Sequence, residues 1–192
     1  MRIIIFGVTC GIGHELIRKA LEQKHDITIV SKDPSCLSVT GMSLKVVKGS
    51  MQDAESLNTA LTGQDAVICA INDPVAIDNI LKAMETMQVK RFIGVMNDQT
   101  QPQNKYLPGI LTRFFYSQSL NKLGKHCLSK GIDWTIIQPP SLTFEPPTGK
   151  YRLYFNGCPL GDKRVSITDL ADFMIDELAQ RKCCGRVVSL AY

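Results

Sequence analysis

No apolar run in this sequence approaches the ~20 consecutive residues that a membrane-spanning helix needs. Nor does it open on a secretory leader: MRIIIF is a short β-like run that passes straight into glycines, with no small-residue cleavage site. Metal-ligand spacing is missing too. There are 3 histidines and no CxxC pair, and the adjacent Cys183 and Cys184 have no His or Cys at zinc-ligand spacing. The 7 cysteines are an odd number, which argues against a disulfide framework and for reduced thiols in a cytoplasmic protein. A long basic block is absent as well. The net charge of +4 is spread out, and the densest stretches, 45–48 and Arg181-Lys182, carry no interleaved aromatics. They read as solvated surface, not as a nucleic-acid interface.

What is present is alternation. Apolar, β-branched runs at 2–6, 26–30, 44–47, 66–71, 91–96 and 134–138 read as strands. Between them lie stretches with helical spacing: from residue 12, at 53–61, at 74–87 and at 113–129. Asp53 can cap the second helix and Gly63 stop it, and Pro74 suits a first helical turn. Residues 97–108 are polar, with two prolines, and read as a loop. The tail carries short strands at 151–155 and 164–167, a capped amphipathic helix at 168–178 and a last strand at 186–190. No linker or repeat divides the 192 residues. The pattern implies a single α/β domain over 1–192: a Rossmann-type, doubly wound, mainly parallel sheet with helices on both faces.

Such sheets bind ligands at the carboxyl ends of their strands, where strand order reverses. The first strand ends on Gly7-Val8-Thr9-Cys10-Gly11-Ile12-Gly13 and leads directly into a helix. A helix start leaves N–H groups unpaired, and their partial positive charge suits a pyrophosphate. Glycine allows the tight turn and the close approach. GxxxGxG is not the strict GxGxxG, but the strand before it and the amphipathic helix and second strand after it complete a dinucleotide-binding unit. The same glycines could instead serve only close strand–helix packing.

After the second strand comes Ser31-Lys32-Asp33. Ser31 and Lys32 can hydrogen-bond and neutralise a ribose 2′-phosphate, which favours NADP(H) over NAD(H). Asp33 pointing inward would favour NAD(H). The expected cofactor-binding set begins with Gly7, Thr9, Cys10, Gly11, Ile12, Gly13, Ser31 and Lys32. It continues with Ser50, Met51, Ala70, Ile71, Asn72, Asn97, Gln138 and Ser141. No metal site and no catalytic residue emerge.

Several segments in order carry a family resemblance: the loop at 7–13, Ser31-Lys32-Asp33, GQDAVI at 63–68, QVKRF at 88–92, KGIDWTIIQPP at 130–140, TGKY at 148–151 and RVSITDLA at 164–171. Through them the chain resembles the atypical short-chain dehydrogenase/reductases, nearest the biliverdin-IX-beta reductase/flavin reductase type. That resemblance implies an NAD(P)H-binding domain and a small-molecule substrate. The departures bear on chemistry. The family loop reads GATGxTG, and Cys10 stands where its second glycine is expected. Met96 and Asn97 replace the usual serine or threonine after strand five. Ser141 stands where the flavin reductase type has a histidine. The Tyr-x-x-x-Lys pair of the full-length enzymes is absent, for Tyr116 is followed by Leu120.

Two functions therefore stay open. One is an NADP(H)-dependent oxidoreductase that passes hydride to a flat conjugated acceptor such as a flavin, quinone or tetrapyrrole. Such an acceptor takes hydride on its own ring and needs little acid–base help from the protein. The other is a non-catalytic NADP(H)-binding sensor or scaffold. An isomerase or dehydratase on the same fold, and an apo fold with no cofactor role, complete the alternatives. Cys10 at a helix start could be reactive or simply packed. Phe114, Phe115 and Tyr116 read as core or as a wall for a flat ring. Residues 144–149, with Pro146 and Pro147, read as a rim loop over the site.

Overall fold

The computed structural model describes residues 1–8, 11–32, 43–96, 122–139, 141–155 and 164–192. In chain order these form β1 (Arg2–Phe6), α1 (Gly11–Glu22), β2 (Asp26–Ser31), β3 (Leu44–Lys48), α2 (Ala54–Leu61) and β4 (Ala66–Cys69). Next come α3 (Pro74–Thr86), β5 (Arg91–Val95), helical residues 122–129 (α4), β6 (Asp133–Ile137) and β7 (Ser141–Thr143). The chain finishes with β8 (Arg152–Phe155), β9 (Arg164–Ser166), α5 (Ile167–Gln180) and β10 (Arg186–Ala191).

Eight strands make one sheet in the order β3-β2-β1-β4-β5-β6-β10-β8, while β7 and β9 pair separately. Every ladder is parallel except β10 with β8. The doubly wound, mainly parallel architecture expected from the alternation is the one observed. Both faces of β1 are covered, which is why its run is apolar throughout. Ile3 and Ile5 pack with Leu16 and Ile17 of α1 and with Leu170 and Met174 of α5. Ile4 and Phe6 pack with Leu57 of α2, Ile80 of α3 and Cys127 of α4 on the other face. Strand order reverses between β1 and β4, so the crevice that opens there lies at the carboxyl ends of both.

The caps follow local chemistry. Asp53 accepts from the Ser56 N–H at the start of α2, and Asp73 accepts from the Val75 and Ala76 N–H groups ahead of Pro74. Two expectations shift in the tail. The last helix begins at Ile167, because Ser166, which the alternation placed inside a strand, is its N-cap and accepts from the Asp169 N–H at 3.0 Å. Residues 141–143, outside every strand read from the sequence, form β7 against β9.

Candidate functional site

The crevice is built first of all by glycine. Gly7 leaves β1 with φ +90°, and a Cβ there would stand 2.4 Å from the Ala70 carbonyl oxygen. Only glycine takes both that dihedral and that approach, so the loops after β1 and β4 close on each other across the switch point. Gly13 has a different job. A Cβ on it would lie 2.5 Å from the Gly7 carbonyl oxygen and 2.5 Å from Val8 Cα. It lets α1 settle against the turn that precedes it, and it is buried. Gly11, the first residue of α1, is exposed and stands at the open end of the helix, where the first N–H groups lack intrahelical partners. Ile12 is buried in the core beneath it. Thr9, Cys10 and Asn97, all expected at this site, lie outside the described residues, as do Asp33 and the aromatics at 114–116.

At the carboxyl end of β2 the expected residues come together. Ser31 is its last residue and Lys32 follows, exposed. The Ser31 carbonyl accepts from the Gly49 N–H at 3.0 Å, which brings the turn after β3 alongside. That turn is fixed by the Ser50 hydroxyl, which accepts from Gln52 N–H at 3.2 Å, and by Asn79, whose side chain donates to the Met51 carbonyl at 3.3 Å. Val30, Lys32, Gly49, Ser50, Met51, Gln52, Asp73 and Ala76 enclose a pocket of about 230 Å³. Asp53, just past it, has its carboxyl held below the usual range by hydrogen bonds from the Ser56 hydroxyl and N–H. A larger pocket of about 350 Å³, lined by Arg2, Asp26, Lys45 and Gln64 among others, sits at the amino end of β2. It holds none of the expected site residues and lies at the wrong end of the sheet for a Rossmann ligand.

Ala70, Ile71 and Asn72 form the lip beyond β4, half-buried, half-buried and exposed in turn. The far wall comes from β5 and β6. Met96 is buried, and its N–H donates to the Ile137 carbonyl at 2.9 Å. Gln138 is held by its backbone: its N–H donates to the Val188 carbonyl at 2.8 Å, and its own carbonyl accepts from the Ser189 hydroxyl at 2.7 Å. Ser141 is exposed at the start of β7.

Sequence reasoning missed one cluster. Asp169 is 2% exposed on the first turn of α5. Its carboxylate accepts from Thr148 N–H (2.9 Å), Gly149 N–H (3.0 Å), the Thr148 hydroxyl (3.3 Å) and the Tyr192 hydroxyl (2.8 Å). Burial alone would raise its pKa, but these bonds, with one from Ser166, outweigh it and hold the carboxyl below its ordinary value. The Tyr192 hydroxyl in turn accepts from the Ser166 N–H at 3.0 Å. The sequence pattern puts Ser166 in a strand and gives no role to Asp169. Its use as a clamp on the 148–149 turn, about 20 residues upstream, depends on contacts no local pattern records.

The comparisons with known proteins agree with this geometry. The model of the NAD(P)H-binding family matches residues 7–181. The chain belongs to that family. Among curated relatives, it is 30% identical over 215 residues to the probable pinoresinol-lariciresinol reductase 3 of Arabidopsis thaliana, covering 99% of this chain and 67% of the relative. It is 34% identical over 139 residues to the (4-alkanoyl-5-oxo-2,5-dihydrofuran-3-yl)methyl phosphate reductase of Streptomyces griseus, covering 71% of this chain and 46% of the relative. The chain thus spans about two thirds of the first and under half of the second.

Solved structures repeat the fold. A candidate epimerase from Bacteroides thetaiotaomicron superposes with a TM-score of 0.83 at 24% identity, covering 100% of this chain and 96% of that one. A wide-type short-chain dehydrogenase/reductase from Veillonella parvula, in complex with NADP, gives 0.78 at 19%, covering 100% and 94%. The anaerobillin reductase ChuY of Escherichia coli O157:H7 gives 0.78 at 18%, covering 100% and 97%.

As a member of an NAD(P)H-binding family, the chain has a cradle that fits a dinucleotide: a backbone crevice a Cβ would fill, an exposed helix start and a pocket lined in part by a lysine. Among the described residues, proton donors are scarce at the far wall. Val95, Met96, Ile137, Gln138 and Ser141 offer no group that titrates near neutral pH. Tyr151 stacks edge-on against Phe173, with ring centroids 6.1 Å apart, and burial pushes its pKa up. The Tyr192 hydroxyl is spent on Asp169 and Ser166. Among the described residues no group of three or more His, Cys, Asp or Glu could hold a metal, and no helix is long and apolar enough to cross a membrane.

Proposed function

We propose that this protein, acting as one dinucleotide-binding unit over residues 1–192, is an NADP(H)-dependent reductase. The acceptor is a flat conjugated molecule of the flavin, quinone or tetrapyrrole class. The observation that carries the cofactor preference is the pocket at the end of β2, which Lys32 and Ser50 both line. A 2′-phosphate there meets an ammonium and a hydroxyl, while the one acid lining the pocket among the described residues, Asp73, already accepts from two backbone N–H groups of α3. Gly7, Gly11 and Ile12 would present backbone to the pyrophosphate, with Thr9 and Cys10 in the same loop. Gly13 acts beneath them by packing. Ser31 would join Lys32 at the ribose, and Met51 would line the adenosine side. Ala70, Ile71 and Asn72 would line the crevice toward the nicotinamide, and Asn97, Gln138 and Ser141 would orient that ring.

When bound, the cofactor supplies a hydride from C4 of its dihydronicotinamide. The protein's part is to bind, orient and exclude water. The scarcity of proton donors among the described residues of the far wall supports an acceptor whose ring takes two electrons and one proton as hydride and draws a second proton from solvent. The named activities of the two curated relatives are reductions, of pinoresinol and lariciresinol and of a furanyl methyl phosphate, and one of the similar structures is an anaerobillin reductase. The same scarcity favours a second reading, a protein that holds NADP(H) and reports it to a partner without turnover.

The experiment is a direct one. Purified protein is mixed with NADPH and, in turn, free flavin, a quinone and biliverdin, while the nicotinamide absorbance is followed. Acceptor-dependent loss of absorbance supports the reductase. Tight NADPH binding with no turnover on any of the three supports the sensor instead.

A further inference from the structure

Phe144 is a large apolar side chain left 87% exposed. Its ring nonetheless lies beside the start of α1: a Cβ built on Gly11 would lie 3.3 Å from Phe144 Cε1, with Ile167 Cδ1 at 3.5 Å. A phenyl ring left in water forgoes the gain of burial, so a position on open surface needs something to hold it.

The segment that carries it is anchored at both ends. On one side, β7 pairs with β9 through Ser141↔Arg164, Leu142↔Val165 and Thr143↔Ser166, and Phe144 is the next residue. Glu145 then pairs with Arg164 at 3.2 Å. Pro146 and Pro147 fix two φ angles. On the other side Asp169 takes the Thr148 and Gly149 N–H groups, and Tyr192 steadies Asp169. Residues 144–149 therefore form a short strap with little freedom to swing.

We infer that this strap is a preformed cover for the dinucleotide, and that Phe144 contacts the bound cofactor where it crosses the start of α1. This rests on the dinucleotide reading above. With the cofactor in the crevice, the ring is buried between it and Ile167, and water is kept from the pyrophosphate. A drier site strengthens the pull of the α1 N–H groups on the phosphate charge. The ring makes no hydrogen bond, so its contribution appears as slower release of cofactor. Asp169 acts as a positioning residue, setting where the strap lies.

The test is stopped-flow measurement of NADPH association and release for the wild type, Phe144→Ala and Phe144→Leu, with thermal unfolding in parallel. Phe144 is exposed, so both variants keep their folded stability. Phe144→Ala should release NADPH about tenfold faster with a nearly unchanged association rate, and Phe144→Leu should fall between. Unchanged release in Phe144→Ala would overturn the strap while leaving cofactor binding intact. Tighter binding by Phe144→Ala would overturn it too, because the ring would then be occupying the cofactor's place. A wild type that binds neither NADPH nor NADH would remove the dinucleotide reading and the strap together.

Discussion

Arg91 Nη2 lies 3.1 Å from Glu177 Oε1, and the two side chains are 0% and 2% exposed. Glu177 also accepts from the Cys183 N–H at 2.8 Å and the Lys182 N–H at 3.2 Å, so this buried pair ties the turn after α5 to the amino end of β5. Removing one partner leaves a buried charge uncompensated. Arg91→Met and Glu177→Gln should each lower stability by about 3–5 kcal/mol. The pair sits at the opposite end of the sheet from the crevice, so the folded variants should bind NADPH as the wild type does. Urea unfolding with a parallel NADPH titration checks both halves. Lost affinity with intact stability would contradict this separation.

Asp169 should make stability depend on acid. Its carboxyl titrates below its ordinary value in the folded protein, so the unfolded chain takes up its proton first as pH falls. The stabilisation is fully present above the unfolded value near ~3.9 and is lost as pH drops through the lower folded value. Asp169→Asn should therefore be destabilised at neutral pH, and its deficit relative to the wild type should shrink below pH ~4. Unfolding curves across that range test it, and a constant gap between the two proteins counts against the clamp.

Lys32 should set cofactor choice. Lys32→Glu puts a carboxylate where a 2′-phosphate would sit, and NADPH affinity should fall roughly tenfold or more while NADH affinity changes little. Equal losses for both cofactors would mean that Lys32 does not face the 2′ position.

Three thiols should resist alkylation in the native protein. Burial pushes Cys69 and Cys127 up to about 12 and Cys183 to about 11, so almost none of each is thiolate at neutral pH. Peptide mapping after brief iodoacetamide treatment should find them unmodified until denaturant is added. Native labelling of Cys69 at the denatured rate would contradict its place in the core.

Where the signal was local, the sequence was enough. The run at β1 needed two covered faces, Gly7 needed a positive φ, and Asp53 and Pro74 marked helix starts. Where partners are far apart in the chain, it was not. Three residues of β7 pair with β9 more than 20 positions later. Ser166 looked like a strand residue because Val165 and Ile167 flank it, and only the turn that follows makes it a cap. Arg91 read as a strand start and Glu177 as the polar side of a helix, and neither pattern announces that they meet. Gly13 was expected to let phosphate approach, but its missing Cβ is needed against Gly7 and Val8. A carboxylate at position 13 would break the loop before it met a cofactor.

Gly11 gives the cleaner test. It is exposed, its nearest obstacle is the movable ring of Phe144, and an acid on the first turn of a helix is favourable. The decisive measurement is the NADPH dissociation constant of the wild type and of Gly11→Asp, with thermal stability recorded alongside. A cofactor pyrophosphate at the start of α1 predicts that Gly11→Asp loses NADPH binding by about a hundredfold while its melting temperature holds or rises. Undiminished binding in that folded variant would contradict the placement of the cofactor on this loop.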